Sequence, residues 1–545
     1  MSPLLLYNAR VLTMAEPQIA RAVLVADGRI VAVGGPELAE GPDHPGVQRV
    51  DLAGRCVTPG LIDSHLHLRG LGDSLSQLDL AGVADFGRAL ELVRGAAAEL
   101  WPNEWLTGGR FDRNLWNLGR LPDRHDLDGV APATPVLLSS KDGHSLWANS
   151  RAIEIAGVGP STAEPAGGRI YRDADGYPVG LFAENACELI RRAVPEPGQA
   201  TRLRSLRRAI DHLQRLGVTC VHEMSAEGQG LAHDLRRLRD ERGHLGLRVR
   251  LSVGPSDVGG PAGDEDIRLV ALKLWIDGAL GSQTALMEDP YEGDERNRGV
   301  QAVDDTTLHR LLKHAASVGL ACWVHAIGDQ AVRLAIEGLE SAGSPPIGLQ
   351  HRIEHAQCAP AGLIERMARL GVAASVQPIH QTQDIEIAER YWGRRSRWAY
   401  PFASMRRAGI PLVFGSDAPV EDADPRRGLW AAVTRQREDG TPAGGWFPEE
   451  RIGIEAALRA YTVESAQSVG DGGQLGAIVP GAHADLVVWS SDVERITIEG
   501  PDACRAVATC IGGRWVHSEI GDIAVSSEDP KAMPLPRSER QTYRR

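Results

Sequence analysis

Apolar and polar positions change their spacing twice along the chain and so divide it into three parts. At both ends, as at 4–35 and 504–517, short apolar runs alternate with polar residues and are separated by tight turns. The dipeptide Asp27–Gly28 between two such runs is typical of a two-residue β-hairpin. We therefore predict a β-sandwich domain assembled from residues 1–56 and 474–525.

Between these ends, buried strand-like runs alternate with amphipathic helical segments such as 202–217 and 307–319. This alternation predicts an α/β fold with a parallel sheet and covering helices. Eight such runs favour a closed (β/α)8 TIM barrel over residues 57–473. The predicted barrel strands are 57–65, 218–223, 248–253, 270–277, 321–328, 351–356, 372–378 and 411–417.

The connection after the first barrel strand is too long for a single helix. Residues 68–215 contain a predicted helix near 84–99, further strand-like runs and a hairpin signal at Asp175–Gly176. We predict that they include a large inserted subdomain, or a lid over the barrel mouth. The polar, proline-containing residues 526–545 predict a flexible tail or an arm over a neighbouring subunit.

Composition narrows the class of protein. A net charge of −13 without a long basic block argues against nucleic acid or an anionic membrane surface as the main partner. The chain shows no secretory signal, and no apolar run approaches the roughly 20 residues of a membrane helix. Seven scattered cysteines without a CxxC pair indicate buried thiols in a reducing compartment. We expect a cytoplasmic protein that binds a small molecule, with a homodimer as one assembly.

Two histidines end the first predicted barrel strand. His65 and His67 are two positions apart, so they share one face of a strand. Alone this pattern is weak evidence, because the chain contains 17 histidines. Barrel enzymes, however, place catalytic groups at the C-terminal ends of several strands. The later predicted strands add His325, His355 and Asp417 at such ends, and Lys273 inside an apolar run.

Lys273 lies in the apolar run "ALKLWIDG". A buried, unpaired ammonium is costly, and lysine in such a place tends to lose its proton. A neutral amine can react with carbon dioxide to form a carbamate, which could bridge two metal ions. An ordinary ion pair with Asp277 or another carboxylate is the alternative, and the residues alone leave both open.

The order HxH, Lys, His, His, Asp along a barrel resembles the amidohydrolase superfamily. The wider wording resembles its amidohydrolase 3 branch, the YtcJ-like proteins related to N-substituted formamide deformylases. The matching phrases run in order over nearly the whole chain: "PGLIDSHLH", "DGHSLWANS", "LKLWIDGALGS", "HAIGDQA", "RIEHAQ", "ASVQPIH", "FGSDAPV" and "GAHADLVVW".

The resemblance implies a centre with two divalent metal ions. Imidazole and carboxylate ligands favour Zn²⁺, with Mn, Fe or Co as alternatives. The implied ligands are His65 and His67 for one ion, His325 and His355 for the other, N6-carboxylated Lys273 as the bridge, and Asp417 beside the first ion.

The implied activity is hydrolysis of a C–N bond other than a peptide bond, in an amide such as an N-acyl or N-formyl amine, by attack of a metal-bound hydroxide. Asp417 would be the general base for water and then the acid for the leaving nitrogen. A deaminase of a cyclic amidine or aromatic amine is an alternative, although many such relatives use one metal and lack the bridging lysine. A non-catalytic barrel is a third, although such relatives typically lose ligands that this chain keeps.

Further residues are candidates for substrate contacts, each with a structural alternative. His144 and Trp147, in "DGHSLWANS", could instead belong to a loop at the start of a helix. His222, at the end of the second predicted strand, could pack there or support a metal ligand. Cys220 lies on the same face of that strand and is a minor candidate metal ligand. His380, just after the seventh predicted strand, could be a loop residue without a role in binding. The candidates are His144, Trp147, His222, Trp275 and His380.

The chain departs from the pattern of the branch at three positions. Gln283 and Gln330 stand where arginine is usual, and Glu223 stands where aspartate is usual. None of them is an implied metal ligand. The departures therefore leave the metal chemistry intact, but the substrate of a relative does not transfer to this chain.

Overall fold

The structure is a computed structural model that describes residues 3–40, 46–75, 77–80, 82–100, 104–111, 113–116, 118–140, 145–165, 168–195, 197–281, 283–521, 523 and 525. The described residues form two compact units. The first takes its residues from 1–72 and 206–528, and the second from 73–205. The predicted tail at 526–545 lies outside the described residues.

The first unit begins with short strands and one short helix. Asp27 and Gly28 connect two of these strands with φ angles of 49° and 77°, so the predicted two-residue hairpin is confirmed. The elements up to the first barrel strand are β1 (Leu4–Tyr7), β2 (Arg10–Leu12), β3 (Ile19–Ala20), β4 (Ala22–Ala26), β5 (Arg29–Gly34), α1 (Glu37–Glu40), β6 (Gln48–Asp51), β7 (Cys56–Pro59) and β8 (Leu61–Leu66).

The second unit is the predicted insertion after β8. Its elements are α2 (Leu68–Ser74), which begins in the first unit, and β9 (Leu78–Asp79), α3 (Phe86–Ala98), β10 (Leu106–Phe111), α4 (Arg124–Asp128), β11 (Val136–Ser140), β12 (Ser145–Ala148), α5 (Ser150–Ile155), β13 (Gly168–Arg172), β14 (Pro178–Glu184), α6 (Glu188–Arg191) and α7 (Gln199–Arg215), which continues into the first unit.

The strands of the insertion form one sheet in the order β13–β14–β12–β11–β10–β9. Its two faces carry separate apolar cores, because neighbouring residues on a strand point to opposite sides. Leu138 packs with α3 and α4 on one face, whereas Leu137 packs with α5 and α6 on the other. The predicted hairpin at Asp175–Gly176 joins β13 to β14 and is also confirmed.

The first unit continues with the barrel. The remaining elements of the barrel are β15 (Val218–Glu223), α8 (Gly228–Arg242), β16 (Arg248–Val253), β17 (Ala262–Gly263), β18 (Ile267–Trp275), α9 (Asp305–Ser317), β19 (Ala321–Ala326), α10 (Asp329–Ala342), β20 (Arg352–His355), α11 (Ala361–Leu370), β21 (Ala373–Val376), α12 (Pro378–Trp392), α13 (Phe402–Arg407), β22 (Leu412–Phe414) and α14 (Pro425–Thr434).

Among the described residues, eight strands form a parallel sheet in the order β8–β15–β16–β18–β19–β20–β21–β22. The segment after β22 returns to β8: the amide of Asp417 donates to the carbonyl of His65 at 2.6 Å, and the amide of His67 donates to the carbonyl of Ala418 at 2.8 Å. The predicted (β/α)8 barrel is therefore confirmed.

The chain then adds α15 (Ile454–Ala460), α16 (Val463–Ser468), β23 (Leu486–Trp489), α17 (Ile496–Glu499), β24 (Ala506–Ile511) and β25 (Arg514–Ser518). Strands from both termini share one sheet, in the order β25–β24–β23–β7–β2–β3. Their apolar residues pack with those of the second terminal sheet, β5–β4–β1–β6, around residues such as Val57 and Val488. This is the predicted sandwich built from both termini.

Six of the eight predicted barrel strands have different bounds in the structure, and two of these differences place residues in another element. The run predicted as 372–378 ends at Val376, because Pro378 begins α12, where its fixed φ suits the first helical turn. His380 therefore lies in that turn and not in a loop. The run predicted as 57–65 divides at Gly60 into β7 of the sandwich and β8 of the barrel.

Gly60 lies between the two strands, and nothing larger than glycine fits there. A Cβ at Gly60 would lie 2.1 Å from Oγ1 of Thr219. We expect Gly60→Ala to lower the free energy of unfolding by about 1–3 kcal/mol, the usual cost of overpacking. Urea denaturation measures this. The matched control is Gly95→Ala in α3, which meets no atom within 4 Å and should stabilise its helix slightly. Equal stability of Gly60→Ala and wild type would contradict the packing argument.

Two further sequence expectations concern burial and membranes. All seven cysteines fall within the described residues, where they are buried and form no disulfide. Across the described part of the chain, no helix combines the length and apolar content that crossing a membrane requires.

Candidate metal centre

The HxH pair lies where β8 ends, and each ring has one nitrogen engaged. Nδ1 of His65 is 2.7 Å from Oε2 of Glu354. Nδ1 of His67 is 3.2 Å from Oγ of Ser225, whose hydroxyl donates to Glu223. Because these oxygens are placed to accept, both histidines carry their proton on Nδ1. Their Nε2 atoms are left with lone pairs, as metal ligation requires.

The histidines of β19 and β20 also have one ring nitrogen bound to an oxygen and the other left with a lone pair. Nε2 of His325 is 3.0 Å from the carbonyl of Gly278, which can only accept, so its Nδ1 keeps a lone pair. Nδ1 of His355 is 2.8 Å from Oε1 of Gln377, so its Nε2 keeps one. The ring of His355 lies 4.7 Å from that of His65 and 4.5 Å from that of His325, centroid to centroid. The structure therefore brings these predicted ligands together.

Asp417 is held beside them by the closure of the barrel. Its amide bonds to the carbonyl of His65, and its neighbour Ser416 donates from both its amide and its hydroxyl to Asp63, at 3.0 and 2.6 Å. Asp417 has a φ of 60°, a left-handed conformation that aspartate tolerates better than most residues. Contacts between the first and last strands thus direct Asp417 into the site.

With the tautomers assigned above, the nitrogens of His65 and His67 that face Asp417 are acceptors, as is the carboxylate oxygen that faces them. Oδ1 of Asp417 lies 3.4 Å from Nε2 of His65 and 3.2 Å from Nε2 of His67, and both nitrogens carry lone pairs. Ligand atoms of His65, His355 and Asp417 all lie within 4.8 Å of one another, and these residues are buried. Lone pairs at such distances repel unless a cation lies among them. This donor set fits a divalent metal ion.

Lys273 is 1% exposed, and its Nζ has no hydrogen-bond partner among the described residues. The ion pair with Asp277, left open by the sequence, is not formed, since that carboxylate accepts backbone N–H groups instead. Burial lowers the pKa of Lys273 to about 8, and the carboxylates of Glu354 and Asp417 act in the opposite direction. Nζ lies 5.4 Å from the ring centroid of Trp275. A buried amine without a partner fits the predicted carboxylation.

Burial lowers the pKa of His325 to about 3, with Lys273 adding to the effect. Between pH 6.5 and that value the unfolded chain binds a proton at this residue and the folded chain does not. Stability from this group is therefore lost as pH falls below 6.5, by up to about 1.4 kcal/mol per pH unit. Asp63 and Asp277 change the stability in the opposite direction. Burial raises the pKa of each to about 7, so the folded chain takes up their protons first and gains stability as pH falls.

Comparison of variants isolates the histidine. In metal-free protein between pH 6 and pH 4, we expect the unfolding free energy of His325→Gln to fall less steeply than that of wild type, by about 1.4 kcal/mol per pH unit. The control is His314→Gln, at an exposed position on α9, which should leave the slope unchanged. Parallel curves for His325→Gln and wild type would show that the buried imidazole is not the cause.

His222 lies one residue before the end of β15 and is completely buried. Its Nδ1 accepts from Nη1 of Arg352 at 2.8 Å, and its ring stacks on Trp323 with centroids 5.8 Å apart. This packing favours a supporting role over substrate contact. Cys220 packs against the apolar residues Ile62, Ala466 and Leu475, and the described metal-ligand group does not include it. We therefore set aside the cysteine-ligand alternative.

Trp275 and His380 remain close to the centre. Trp275 is 38% exposed, and its ring centroid lies 5.4 Å from Nζ of Lys273. The groove of about 620 Å³ that it also lines includes none of the candidate metal ligands among its described lining residues. Nε2 of His380 lies 3.7 Å from Oδ2 of Asp417 and is buried, with no hydrogen-bond partner in the part of the chain that the structure describes. Both positions suit contacts with a substrate bound at the centre.

Of the two substrate-contact candidates in the insertion, the structure describes only Trp147. Trp147 is fully buried in the core of the second unit, where its indole N–H donates to the carbonyl of Asp123 at 2.9 Å. Its position is accounted for by packing, and we leave it out of the substrate site. His144 lies outside the described residues.

Sequence reasoning missed the residues that hold the histidines. Period-two alternation places Arg352 and Glu354 on one face of β20 and His355 on the other. In the structure Glu354 and His355 serve the same site, because His355 has a φ of 70° and leaves the strand geometry. Only the four polar residues in the six-residue run "HRIEHA", which is predicted as a buried strand, could have signalled this.

Comparisons with known proteins agree with this architecture. The putative amidohydrolase YtcJ of Bacillus subtilis (strain 168) is 33% identical over 520 residues, which cover 93% of this chain and 97% of that protein. The N-substituted formamide deformylase of Arthrobacter pascens is 28% identical over 516 residues, covering 90% and 94%.

A solved structure shares the fold. The crystal structure of an uncharacterized metal-dependent hydrolase from Pyrococcus horikoshii OT3 matches with a TM-score of 0.76 and 28% sequence identity, covering 92% of this chain and 99% of that one. The model of the amidohydrolase family matches residues 48–517. With this match over most of its length, the chain belongs to the amidohydrolase family.

Proposed function

We propose that the protein is a metal-dependent hydrolase that cleaves a C–N bond other than a peptide bond, in an N-acyl or N-formyl amine. One observation supports this above the rest: four histidines, each with one ring nitrogen bound to an oxygen acceptor, converge on a buried carboxylate and a buried amine. The deformylase among the relatives and the metal-dependent hydrolase among the solved structures are consistent with it.

The donor set divides into two groups around Lys273. His65, His67 and Asp417 would hold one divalent ion, and His325 with His355 would hold the other. Zinc suits these neutral imidazoles and carboxylates, and Mn, Fe or Co are accepted by the same donors. Bound ions would lower the pKa of a water molecule and polarise the substrate carbonyl.

Lys273 would complete the centre as N6-carboxylysine. Its neutral amine attacks the carbon of carbon dioxide and loses one proton, which leaves a carbamate with a negative charge. The carbamate would add a carboxylate at the end of a long arm to the donors that would hold the ions. It also removes the cost of an ammonium buried without a partner.

Asp417 would move the proton. Its carboxylate accepts a proton from the attacking water and then delivers it to the leaving nitrogen. His380, close to Oδ2 of Asp417, is placed to donate a hydrogen bond to the substrate oxygen as negative charge develops there. Trp275, whose ring lies beside Lys273, would supply an aromatic wall for the substrate.

Metal counting and a substrate screen test this function. We expect about two ions per chain by elemental analysis, together with release of free amine from N-formyl or N-acyl amines. Release of ammonia from cyclic amidines or aromatic amines, with about one ion per chain, would favour a deaminase instead. A chain that binds no divalent ion and turns over neither class would be a non-catalytic barrel.

A further inference from the structure

A buried ion pair lies directly behind the first histidine of the HxH pair. Oε2 of Glu354 accepts from Nδ1 of His65 at 2.7 Å, and Oε1 accepts from Nε of Arg352 at 2.9 Å. The side chains of Glu354 and Arg352 are both 0% exposed. Each carboxylate oxygen therefore has one fixed donor, and no water competes for it.

Arg352 is itself held from several sides. Its Nη1 donates to Nδ1 of His222 at 2.8 Å, and its Nη2 donates to the carbonyl of Ser64 at 3.2 Å. Its guanidinium lies over the ring of Trp323, 3.9 Å from the centroid. A planar guanidinium fixed in this way leaves its carboxylate partner one orientation. The position of Glu354 is thus set by groups on other barrel strands.

The HxH pair is consequently supported unequally. His67 donates to the neutral hydroxyl of Ser225, and only that hydroxyl contacts a carboxylate, Glu223. His65 faces an ionised carboxylate that can only accept. That carboxylate keeps the proton on Nδ1 of His65 and the lone pair on Nε2, beside Asp417.

We propose that Glu354, fixed by Arg352, is the positioning residue that holds His65 in the tautomer and orientation needed to bind metal. This rests on the proposed function only in that the ligand of His65 is taken to be a divalent ion. Partners of this kind contribute about 10–100-fold to metal affinity in other metal sites.

Glu354→Gln tests the proposal with little change of shape. The amide has one acceptor where the carboxylate has two. If its oxygen faces His65, its NH₂ faces the N–H of Arg352; if its NH₂ faces His65, the histidine must move its proton to Nε2. Either way one buried contact fails. We expect zinc affinity, measured by competition with a chelator, to fall about 10–100-fold. The visible spectrum of the cobalt-loaded protein should change as well.

Two controls separate positioning from stability. Glu365→Gln, at an exposed position on α11, should bind zinc as wild type does. The double variant Arg352→Met/Glu354→Met removes both buried charges, so no unpaired ion is left to unfold the protein. It should fold in the metal-free state, as seen by thermal unfolding with a chelator present, and still show the loss of zinc affinity.

The outcomes are distinct from those of the proposed function. If wild type binds zinc and Glu354→Gln binds it equally well with the same cobalt spectrum, the positioning role is overturned while the function stands. If the double variant folds and keeps wild-type affinity, the role is again overturned. If neither variant folds, the pair serves the stability of the barrel, and the proposal fails. If wild type itself binds no divalent ion, the function proposed above fails first.

Discussion

Replacement of Asp417 by asparagine should lower the turnover of an accepted amide by about 10²–10⁴-fold, the usual contribution of general acid–base catalysis. Asparagine has the same shape and also tolerates a left-handed φ, so the backbone at 60° need not change. Its amide, however, cannot take a proton from water or deliver one to nitrogen. The loss corresponds to about 2.7–5.4 kcal/mol in the barrier.

Steady-state kinetics on the metal-loaded protein measures this effect, and metal content must be measured beside it. The control is Asp422→Asn, whose side chain is 48% exposed and pairs with Arg427. It should keep wild-type turnover. Hydrolysis by Asp417→Asn at the wild-type rate, with the metals in place, would show that another group moves the proton.

Replacement of Lys273 by methionine should reduce the metal content from about two ions per chain to about one or fewer. Methionine fills the same buried, apolar space but cannot form a carbamate. Turnover should fall by more than the roughly 10–100-fold that loss of an outer partner costs, because the proposed bridge cannot form. Lys313→Met, at an exposed position on α9, is the matched control.

Carbon dioxide gives a second readout for Lys273. Metal-free wild type that is reloaded in bicarbonate buffer should recover more metal than the same protein reloaded in carbon dioxide-free buffer. Lys273→Met should recover equally little in both. Two results would contradict a carbamate at Lys273. One is a Lys273→Met variant that keeps two ions and full turnover, and the other is a wild type that recovers the same amount of metal with and without bicarbonate.

Local patterns were sufficient for much of the fold. The alternation around Asp27–Gly28 defines a hairpin because two neighbouring residues with positive φ and two half-buried strands are local properties. The barrel strands were found because buried parallel strands are apolar along their whole length. The predicted bounds were wrong at Gly60, which lies between two strands and against the side chain of Thr219, and at Pro378, where a helix begins.

The candidate site divides in the same way. Its residue types and their places at strand ends could be predicted from the sequence, and their roles as ligands stay predictions. Burial of Trp147 and His222 could not be predicted, because each depends on packing by residues distant in the chain. The sequence also contained no sign of which nitrogen of each histidine is engaged.

By itself, then, the sequence determined the order of barrel strands, the sandwich from both ends and the residues with metal-binding chemistry. These follow from the periodicity of burial and from side-chain chemistry, which are properties of short segments. Only the tertiary structure decided which atoms meet. Glu354 reaches His65 across 289 positions of the chain, and Asp63 reaches Ser416 across 353. Such contacts set the tautomers and the place of Asp417, because a hydrogen bond depends on distance and direction in space.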